Sequence, residues 1–348
     1  MKRSVAGVIG IEIDDEYKWK DTLIIDEHVS SQDEKTYINC LGFIKVIHKK
    51  QIDFSDSRKM EENIWGNEKY IYDSKKEAKI YFENDKKCII ETRQEVNEWL
   101  MIMLQIMLLK FGYSLIHAAA VANENGALLL PSWGGVGKTA CVAKLVKKGY
   151  KILGDDFNII NKNGEIYGLP KKFVLYFYHR DLFPEVFKKK APKCNSALNE
   201  FYSNIIPAVK NFLRKFPALL AFARKHNPQS IKVSPVDIFG KEAIQSKSDL
   251  KQIIWLERGE GENIFGNLES KDIAQKATSV TLNEILTDNM SAILVMCGFG
   301  IISFNEFFVR MYEIYESAFN DKITNKLRVS KKDKVEVVAD EVMKNIKF

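Results

Sequence analysis

Residues 131–140 of the chain are PSWGGVGKTA, and this stretch decides the fold prediction. It follows the pattern G-x-x-x-x-G-K-[ST] of phosphate-binding loops, except that Ser132 stands at the first glycine position. That position serves the turn that leaves the preceding strand, and a serine can hydrogen-bond its neighbouring backbone at such a turn. The stretch therefore predicts a phosphate-binding loop, with a glycine-rich turn before an ordinary helix as the alternative.

The parts of a phosphate-binding loop that act on a phosphate are all present. Glycines let backbone N–H groups converge on phosphate oxygens, Lys138 supplies positive charge, and the hydroxyl of Thr139 is a magnesium ligand. The predicted nucleotide-contacting residues are Gly134, Gly135, Val136, Gly137, Lys138 and Thr139. The cofactors that this pattern implies are ATP or GTP together with Mg²⁺.

The segments on both sides of the loop have the pattern that such a loop requires. Residues 114–132, SLIHAAAVANENGALLLPS, contain two apolar runs around an Asn-Gly pair, which predicts strand, turn, strand. Apolar residues from Ala140 to Val146 recur at helical spacing, and Gly149 has the position of a helix-ending glycine. We therefore expect a helix of about three turns, followed by a strand at 150–153.

Two aspartates, Asp155 and Asp156, follow Lys138 by 17 and 18 residues, which leaves room for one short helix and one return strand. If the two strands are parallel neighbours in a right-handed crossover, the second strand ends beside the loop. One carboxylate could then hold the metal while the other accepts a proton from an attacking hydroxyl. We expect Thr139 and Asp155 at the metal and favour Asp156 as the base, although the sequence does not order the pair. The alternative is a solvated Gly-Asp-Asp turn.

Changes of pattern divide the rest of the chain. The expected elements are short strands at 1–92, a buried helix at 95–110 ended by Gly112, a hairpin turn at 161–164, a lysine-rich helical insertion at 185–232, strand, turn, strand at 249–266, and an amphipathic helix from Asn305 onward. Residues 1–95 are thus predicted to form an α+β or mostly β domain, and 96–348 an α/β catalytic domain. The basic insertion fits either a solvated amphipathic face or an acceptor-binding surface.

The composition limits which binding partners and which cellular compartment we expect for the chain. With 348 residues, 46% apolar and 28% charged, the chain has the balance of a folded protein, and its net charge of +6 does not call for nucleic acid. Five scattered cysteines, none in a C-x-x-C pair, are typical of reduced thiols in a cytoplasmic protein. The apolar runs at 99–109 and 290–304 are shorter than the roughly 20 residues that span a bilayer. Both are predicted to be buried core elements, with a membrane-surface position as the alternative for the second.

The stretch from His117 to Asp156 resembles the catalytic core of the HPr kinase/phosphorylase-like family, which shares its nucleotide fold with the ATP-dependent phosphoenolpyruvate carboxykinases. The matching features are the HAAAV stretch that begins at His117, the loop, Gly149 and the aspartate pair. This resemblance implies a P-loop α/β domain of the HPr kinase C-terminal type, with Lys138 on the β- and γ-phosphates and His117 near the active site. Without the resemblance, a lone histidine before an alanine run is more typical of a core residue.

The sequence thus predicts an ATP-dependent kinase that transfers the γ-phosphoryl group to a serine-type hydroxyl of a peptide, protein or small molecule, as in a biosynthetic or modification pathway. The predicted catalytic residues are Asp156, Asp155, His117 and Lys138. A nucleotide-binding regulatory or assembly module with slow or no hydrolysis is the alternative. Arg258 could stabilise a phosphate, although a charged turn residue is the simpler interpretation. We expect a nucleotide and a hydroxyl-bearing acceptor as partners, without nucleic acid or a membrane span, and a homo-oligomer stays open.

Overall fold

The computed structural model describes residues 2–14, 37–169, 171–190, 230–287 and 289–348. Contacts between residues divide the chain into two compact units, of which the second is a single segment, 172–240, and the first is the remainder. Strands and helices occur in both units, so the chain is mixed α/β, as the sequence predicts. Within the described ranges, no helix is long and apolar enough to cross a bilayer.

The described residues form two large sheets, one small sheet and a set of helices. Strands β1–β18 are Lys2–Val5, Ile9–Ile13, Gly42–His48, Arg58–Lys59, Ile64–Gly66, Tyr70–Asp73, Ala78–Asn84, Lys87–Thr92, Tyr113–Asn123, Gly126–Pro131, Lys151–Gly154, Phe157–Asn161, Glu165–Gly168, Phe173–Tyr176, Ser230–Val233, Lys247–Gly259, Ile264–Asn267 and Ile323–Ser330. Helices α1–α8 are Asn97–Lys110, Lys138–Lys147, Pro184–Lys190, Pro235–Phe239, Ser270–Leu286, Met290–Gly298, Arg310–Phe319 and Val335–Lys344. A π-helical turn at Asn305–Val309 leads into α7.

The first large sheet contains the short strands predicted for the first 92 residues. Its order is β1-β2-β3-β8-β7-β6-β5-β4, with parallel pairing of β3 to both β2 and β8 and antiparallel pairing elsewhere. Buried and partly exposed residues alternate along β3 and the first part of β7, as expected for strands with one face on a core. The buried face packs against α1.

Helix α1 is the buried helix that the apolar run predicts. Every residue from Trp99 to Leu109 is buried, so this helix is apolar on all sides. It contacts β2, β3 and β8 of the first sheet and β9 of the second sheet. Phe111 caps its end, and Gly112 follows with φ +78°, a conformation that favours glycine. The helix therefore joins the cores of the two large sheets.

The second large sheet carries the loop. Its order is β10-β9-β12-β13-β16-β18-β17, with β11 also on β9 and with β16 pairing back in parallel to β10. The two predicted hairpins are confirmed: β9 and β10 pair antiparallel around Asn123–Gly126, and β12 and β13 pair antiparallel around 161–164. Strand β9 is nearly all buried, because helices α1, α2 and α5 contact it while β10 pairs along one edge and β12 and β11 pair along the other.

The parallel pairing considered for the strands before and after the loop helix does not occur, whereas the predicted strand, turn, strand at 249–266 is confirmed. Strand β11 is not the parallel neighbour of β10, because β9 lies between them and pairs antiparallel with both. Strands β16 and β17 both exist, but β18 lies between them and pairs with each. Strand β18 is distant along the chain from both β16 and β17, and local sequence patterns do not report such an insertion.

Two apolar or amphipathic segments also differ from expectation. The segment after Asn305 is not one amphipathic helix, because β18 interrupts it between α7 and α8. The run at 290–304 is only half-buried: Ala292, Ile293 and Met296 of α6 face the core, whereas Leu294 is exposed. A helix at the edge of a core buries one face and leaves the other to solvent, even when both faces are apolar.

The second unit contains the short antiparallel pair β14 and β15 with helices α3 and α4. Helix α3 begins the predicted helical insertion at 185–232, but residues 230–232 belong to strand β15 rather than to a helix. The remainder of the predicted insertion, 191–229, lies outside the described residues.

Candidate functional site

The loop between β10 and α2 has the strand-loop-helix arrangement that its sequence predicts. Strand β10 ends at Pro131 and α2 begins at Lys138. Gly135 and Gly137 have φ values of +77° and +126°, which residues with a side chain rarely adopt. The first N–H groups of α2 have no acceptor within the helix, and their partial positive charge favours an anion at this end.

Ser132, the departure from the glycine pattern, is completely buried and takes part in the site. Its hydroxyl donates to the carbonyl oxygen of Trp133 at 3.1 Å, which is the local backbone hydrogen bond expected of a serine in this turn. The same hydroxyl accepts a hydrogen bond from the Lys138 ammonium at 3.2 Å. Replacement of the first glycine by serine therefore adds an acceptor for the lysine and does not disrupt the turn.

The Lys138 ammonium is enclosed by acceptors. Its Nζ lies 2.9 Å from His117 Nε2, 3.1 Å from the carbonyl oxygen of Ser132 and 3.4 Å from that of Trp133. Burial lowers the pKa of Lys138, although the carboxylates of Asp155 and Asp156 oppose this effect. An ammonium has three N–H donors, so a phosphate oxygen that approaches Lys138 must replace one of these acceptors.

His117 lies on β9 directly opposite Phe157, the first residue of β12, and only 3% of it is exposed. Burial and the charge of Lys138 lower the pKa of His117 to about 3, so its ring is neutral at physiological pH. Because Nε2 accepts from Lys138, the ring proton is assigned to Nδ1. Nδ1 is 3.4 Å from Asp156 Oδ1 but makes no hydrogen bond. The contact with Asp156 is therefore not an ion pair.

Asp155 lies in the turn between β11 and β12 and is joined to the loop helix. Its Oδ2 accepts a hydrogen bond from Thr139 Oγ1 at 2.9 Å, whereas its buried Oδ1 has no hydrogen-bond partner. Burial and the like charge of Asp156 raise the pKa of Asp155 to about 6. A buried carboxylate oxygen without a partner is costly, and a cation beside it would remove that cost. Thr139 and Asp155 together thus fit a magnesium ion.

Asp156, the next residue, is partly exposed and is held by a lysine that the sequence did not point to. The Lys171 ammonium forms an ion pair with Asp156 Oδ2 and lies 5.0 Å from the centre of the Phe157 ring. Burial is the largest single effect and would raise the pKa of Asp156, but the charge and hydrogen bond of Lys171, with smaller contributions from neighbouring groups, together outweigh it and the pKa is lowered. Asp156 is therefore ionised at neutral pH, with 39% of its side chain exposed.

Arg258, which the sequence left between two interpretations, is bonded to backbone. Its Nε donates to the carbonyl oxygen of Val136 at 3.2 Å, and its Nη1 donates to those of Ser330 and Asp333 at 2.7 and 2.8 Å. The guanidinium thus ties the loop to the turn after β18. These bonds use three of the five N–H donors of the guanidinium.

The structure brings together His117, Lys138, Thr139, Asp155 and Asp156, which the sequence analysis proposed as one site. Gly134 does not have the positive φ of Gly135 and Gly137, so its conformation does not require a glycine. Sequence reasoning missed two residues of the site, Lys171 and Thr281. Lys171 pairs with Asp156, and Thr281 Oγ1 accepts a hydrogen bond from the backbone N–H of His117 at 3.0 Å. No motif marks either residue, because both reach the site through tertiary contacts.

Comparisons with known proteins do not assign a function to the site. No protein-family model and no curated protein matches the chain. Among the described residues, no three or more His, Cys, Asp or Glu side chains converge as a metal-binding group. A magnesium ion at the hydrogen-bonded pair Thr139 and Asp155 would take these two residues as protein ligands, with other ligands from a bound nucleotide and water.

Proposed function

We propose that the chain is an ATP-dependent, magnesium-requiring kinase of the HPr-kinase-like type, which transfers the γ-phosphoryl group to a hydroxyl acceptor. The observation that carries this proposal is the direct bond between the loop and the aspartate turn, from Thr139 Oγ1 to Asp155 Oδ2 at 2.9 Å. It joins a phosphate-type loop to two carboxylates in different environments. Phosphoryl transfer needs both parts at one place.

The residues of the site divide the work by charge. Lys138 would exchange an internal acceptor for a phosphate oxygen and neutralise part of its charge, while loop N–H groups donate to the same phosphates. Neutral His117 would keep the Lys138 ammonium oriented through Nε2. Mg²⁺ held by Thr139 and Asp155 would supply further charge neutralisation on the phosphate oxygens.

The proton of the acceptor hydroxyl would pass to Asp156. This carboxylate is ionised and partly exposed, so it can reach a substrate, whereas Asp155 is tied to Thr139. The two neighbours therefore suit different tasks, with Asp155 at the metal and Asp156 as the general base. A nucleotide sensor without transfer would not need the second carboxylate.

Transfer of labelled phosphate from [γ-³²P]ATP to components of a lysate of the source organism tests the proposal. We expect a labelled acceptor with the wild-type protein and a loss of labelling of about 100-fold or more in Lys138→Ala and Asp156→Asn. Lys147→Ala, at the exposed end of α2, and Asp249→Asn, at an exposed position of β16, are matched controls that should keep the activity.

The outcome also separates the proposal from its alternative. Tight ATP binding without any labelled acceptor, with either ATP or GTP as donor, would contradict the kinase and favour a nucleotide-binding regulatory module. Loss of labelling in Lys138→Ala but not in Asp156→Asn would leave the kinase and remove the base assignment.

A further inference from the structure

The site contains a second ammonium group whose task the phosphate loop does not explain. Lys171 pairs with Asp156 Oδ2, on the opposite oxygen from the one that faces His117. A row of four side chains therefore crosses the site in the order Lys138, His117, Asp156, Lys171. Its two ends are the ammonium groups, and the base of the proposed reaction lies next to the second one.

Charge balance suggests what Lys171 does. A phosphoryl group in transfer carries negative charge on three equatorial oxygens, between the leaving and the attacking oxygen. Lys138 belongs to the loop and serves the donor side. Arg258 donates three of its five N–H groups to backbone carbonyl oxygens. Among the described residues that contact Asp156, Lys171 is the cation available on the acceptor side.

The position of Lys171 is set by the base itself. A general base must lie within about 3 Å of the hydroxyl whose proton it takes. Lys171 contacts the same carboxylate, so its ammonium lies close to the oxygen that attacks phosphorus. The lysine is also free to adjust, because 28% of its side chain is exposed and a four-carbon stem separates the ammonium from the backbone.

We infer that Lys171 is a catalytic residue of the proposed kinase, whose ammonium binds the oxygens of the transferring phosphoryl group opposite Lys138. The inference rests on the proposed function. In the step, the bond from the acceptor oxygen to phosphorus forms while the bond from phosphorus to the β,γ-bridging oxygen breaks, and ADP leaves with that electron pair. The hydroxyl proton passes to Asp156, and the Lys171 ammonium keeps its proton and turns from the carboxylate to the phosphoryl oxygens.

Binding of a transition-state mimic tests this assignment without an acceptor. Calorimetry at pH 7.5 would measure the affinity for MgADP alone and for MgADP with aluminium fluoride, which imitates the planar phosphoryl group. We expect Lys171→Ala to bind MgADP like the wild type but to lose about 10- to 100-fold in affinity for the fluoride complex. Lys171→Arg, which keeps the charge, should recover most of that loss.

A matched control is available elsewhere in the chain. Lys247 also pairs with a carboxylate, that of Glu165, and lies 5.1 Å from the centre of the Tyr167 ring, so Lys247→Ala removes a similar set of contacts. It should leave both affinities unchanged. Thermal unfolding of each variant checks that the fold is retained.

The possible results point to different failures. If Lys171→Ala shows no selective loss for the fluoride complex, while the wild type binds MgADP, Lys171 only pairs with Asp156 and the inference is overturned, but the proposed function stands. If the wild type does not bind MgADP at all, the proposed function fails and the inference fails with it.

Discussion

At the scale of single residues, the site is a set of groups whose ionisation is set by their neighbours. Two adjacent carboxylates have opposite pKa shifts, upward for buried Asp155 and downward for Asp156 beside Lys171. Such a difference is typical of sites where like residues have unlike tasks. It also implies that ionised Asp155 is a cost to the metal-free fold.

The substitution Asp155→Asn should therefore stabilise the metal-free protein. The native state keeps the Asp155 proton up to about pH 6, whereas the unfolded chain releases it near pH 4. Stability contributed by this group is thus present at low pH and is lost as the pH rises toward 6. We expect the asparagine variant to gain about 1–2 kcal/mol in the free energy of unfolding at pH 7.5 and little at pH 4.

Urea unfolding of both proteins at the two pH values, with a metal chelator present, measures this effect. Asp249→Asn, an exposed substitution of the same kind, is the control and should change little at either pH. A gain of equal size at both pH values would show that the effect does not come from ionisation.

At the scale of elements, helix α1 shows how the two large sheets are held together. Trp99 in this helix donates from Nε1 to Asp73 Oδ2 of β6 at 2.9 Å, and both side chains are buried. The other Asp73 oxygen accepts the backbone N–H groups of Lys75 and Lys76. One side chain of the helix thus satisfies a buried carboxylate of the first sheet.

We expect Trp99→Phe to lower the free energy of unfolding by about 1.5–3 kcal/mol, because it leaves a buried carboxylate oxygen without its donor while most of the apolar surface is kept. Trp65→Phe in β5 is the matched control, since Trp65 packs edge-on against Phe54 without a role at Asp73. Urea unfolding measures both variants. A loss in Trp99→Phe no larger than in the control would contradict the assigned hydrogen bond.

The elements also show how much of the fold the sequence could predict. Local patterns give α1, the hairpin around Asn123–Gly126 and helix α2 with its Gly149 end, because each depends on residues close together in the chain. The insertion of β18 between β16 and β17 depends on a partner more than 50 residues away, and no local pattern carries that information. Lys171 was missed for the same reason, since its role depends on reaching Asp156 in space.

At the scale of the whole molecule, the phosphate-type loop is supported from the C-terminal part of the chain. Arg258 of β16 connects Val136 in the loop with Ser330 and Asp333 after β18. The following helix, α8, packs on α2. A Cβ added at Gly137 would lie only 3.3 Å from the side chain of Val338 in α8. The conformation of the loop therefore depends on segments nearly 200 residues later.

The substitution Arg258→Lys should loosen this support, because one ammonium cannot reproduce a planar guanidinium bonded to three separate carbonyl oxygens. We expect MgADP affinity to fall by about tenfold, which corresponds to about 1.4 kcal/mol. Calorimetric titration measures it. Arg93→Lys is the control, because the Arg93 guanidinium pairs with Glu77 beside the first sheet. Unchanged affinity in Arg258→Lys would show that the loop holds its shape without the arginine.

Because strand β9 is paired on both edges, it restricts where insertions and deletions can occur as the sequence evolves. Side chains of a strand alternate between two faces, so the loss or gain of one residue in β9 after His117 would turn the histidine away from Lys138. Both edges of β9 are occupied, so neighbouring strands would have to shift with it. Related chains should therefore differ in length at turns such as 161–164, while the number of residues from His117 to Ser132 stays constant.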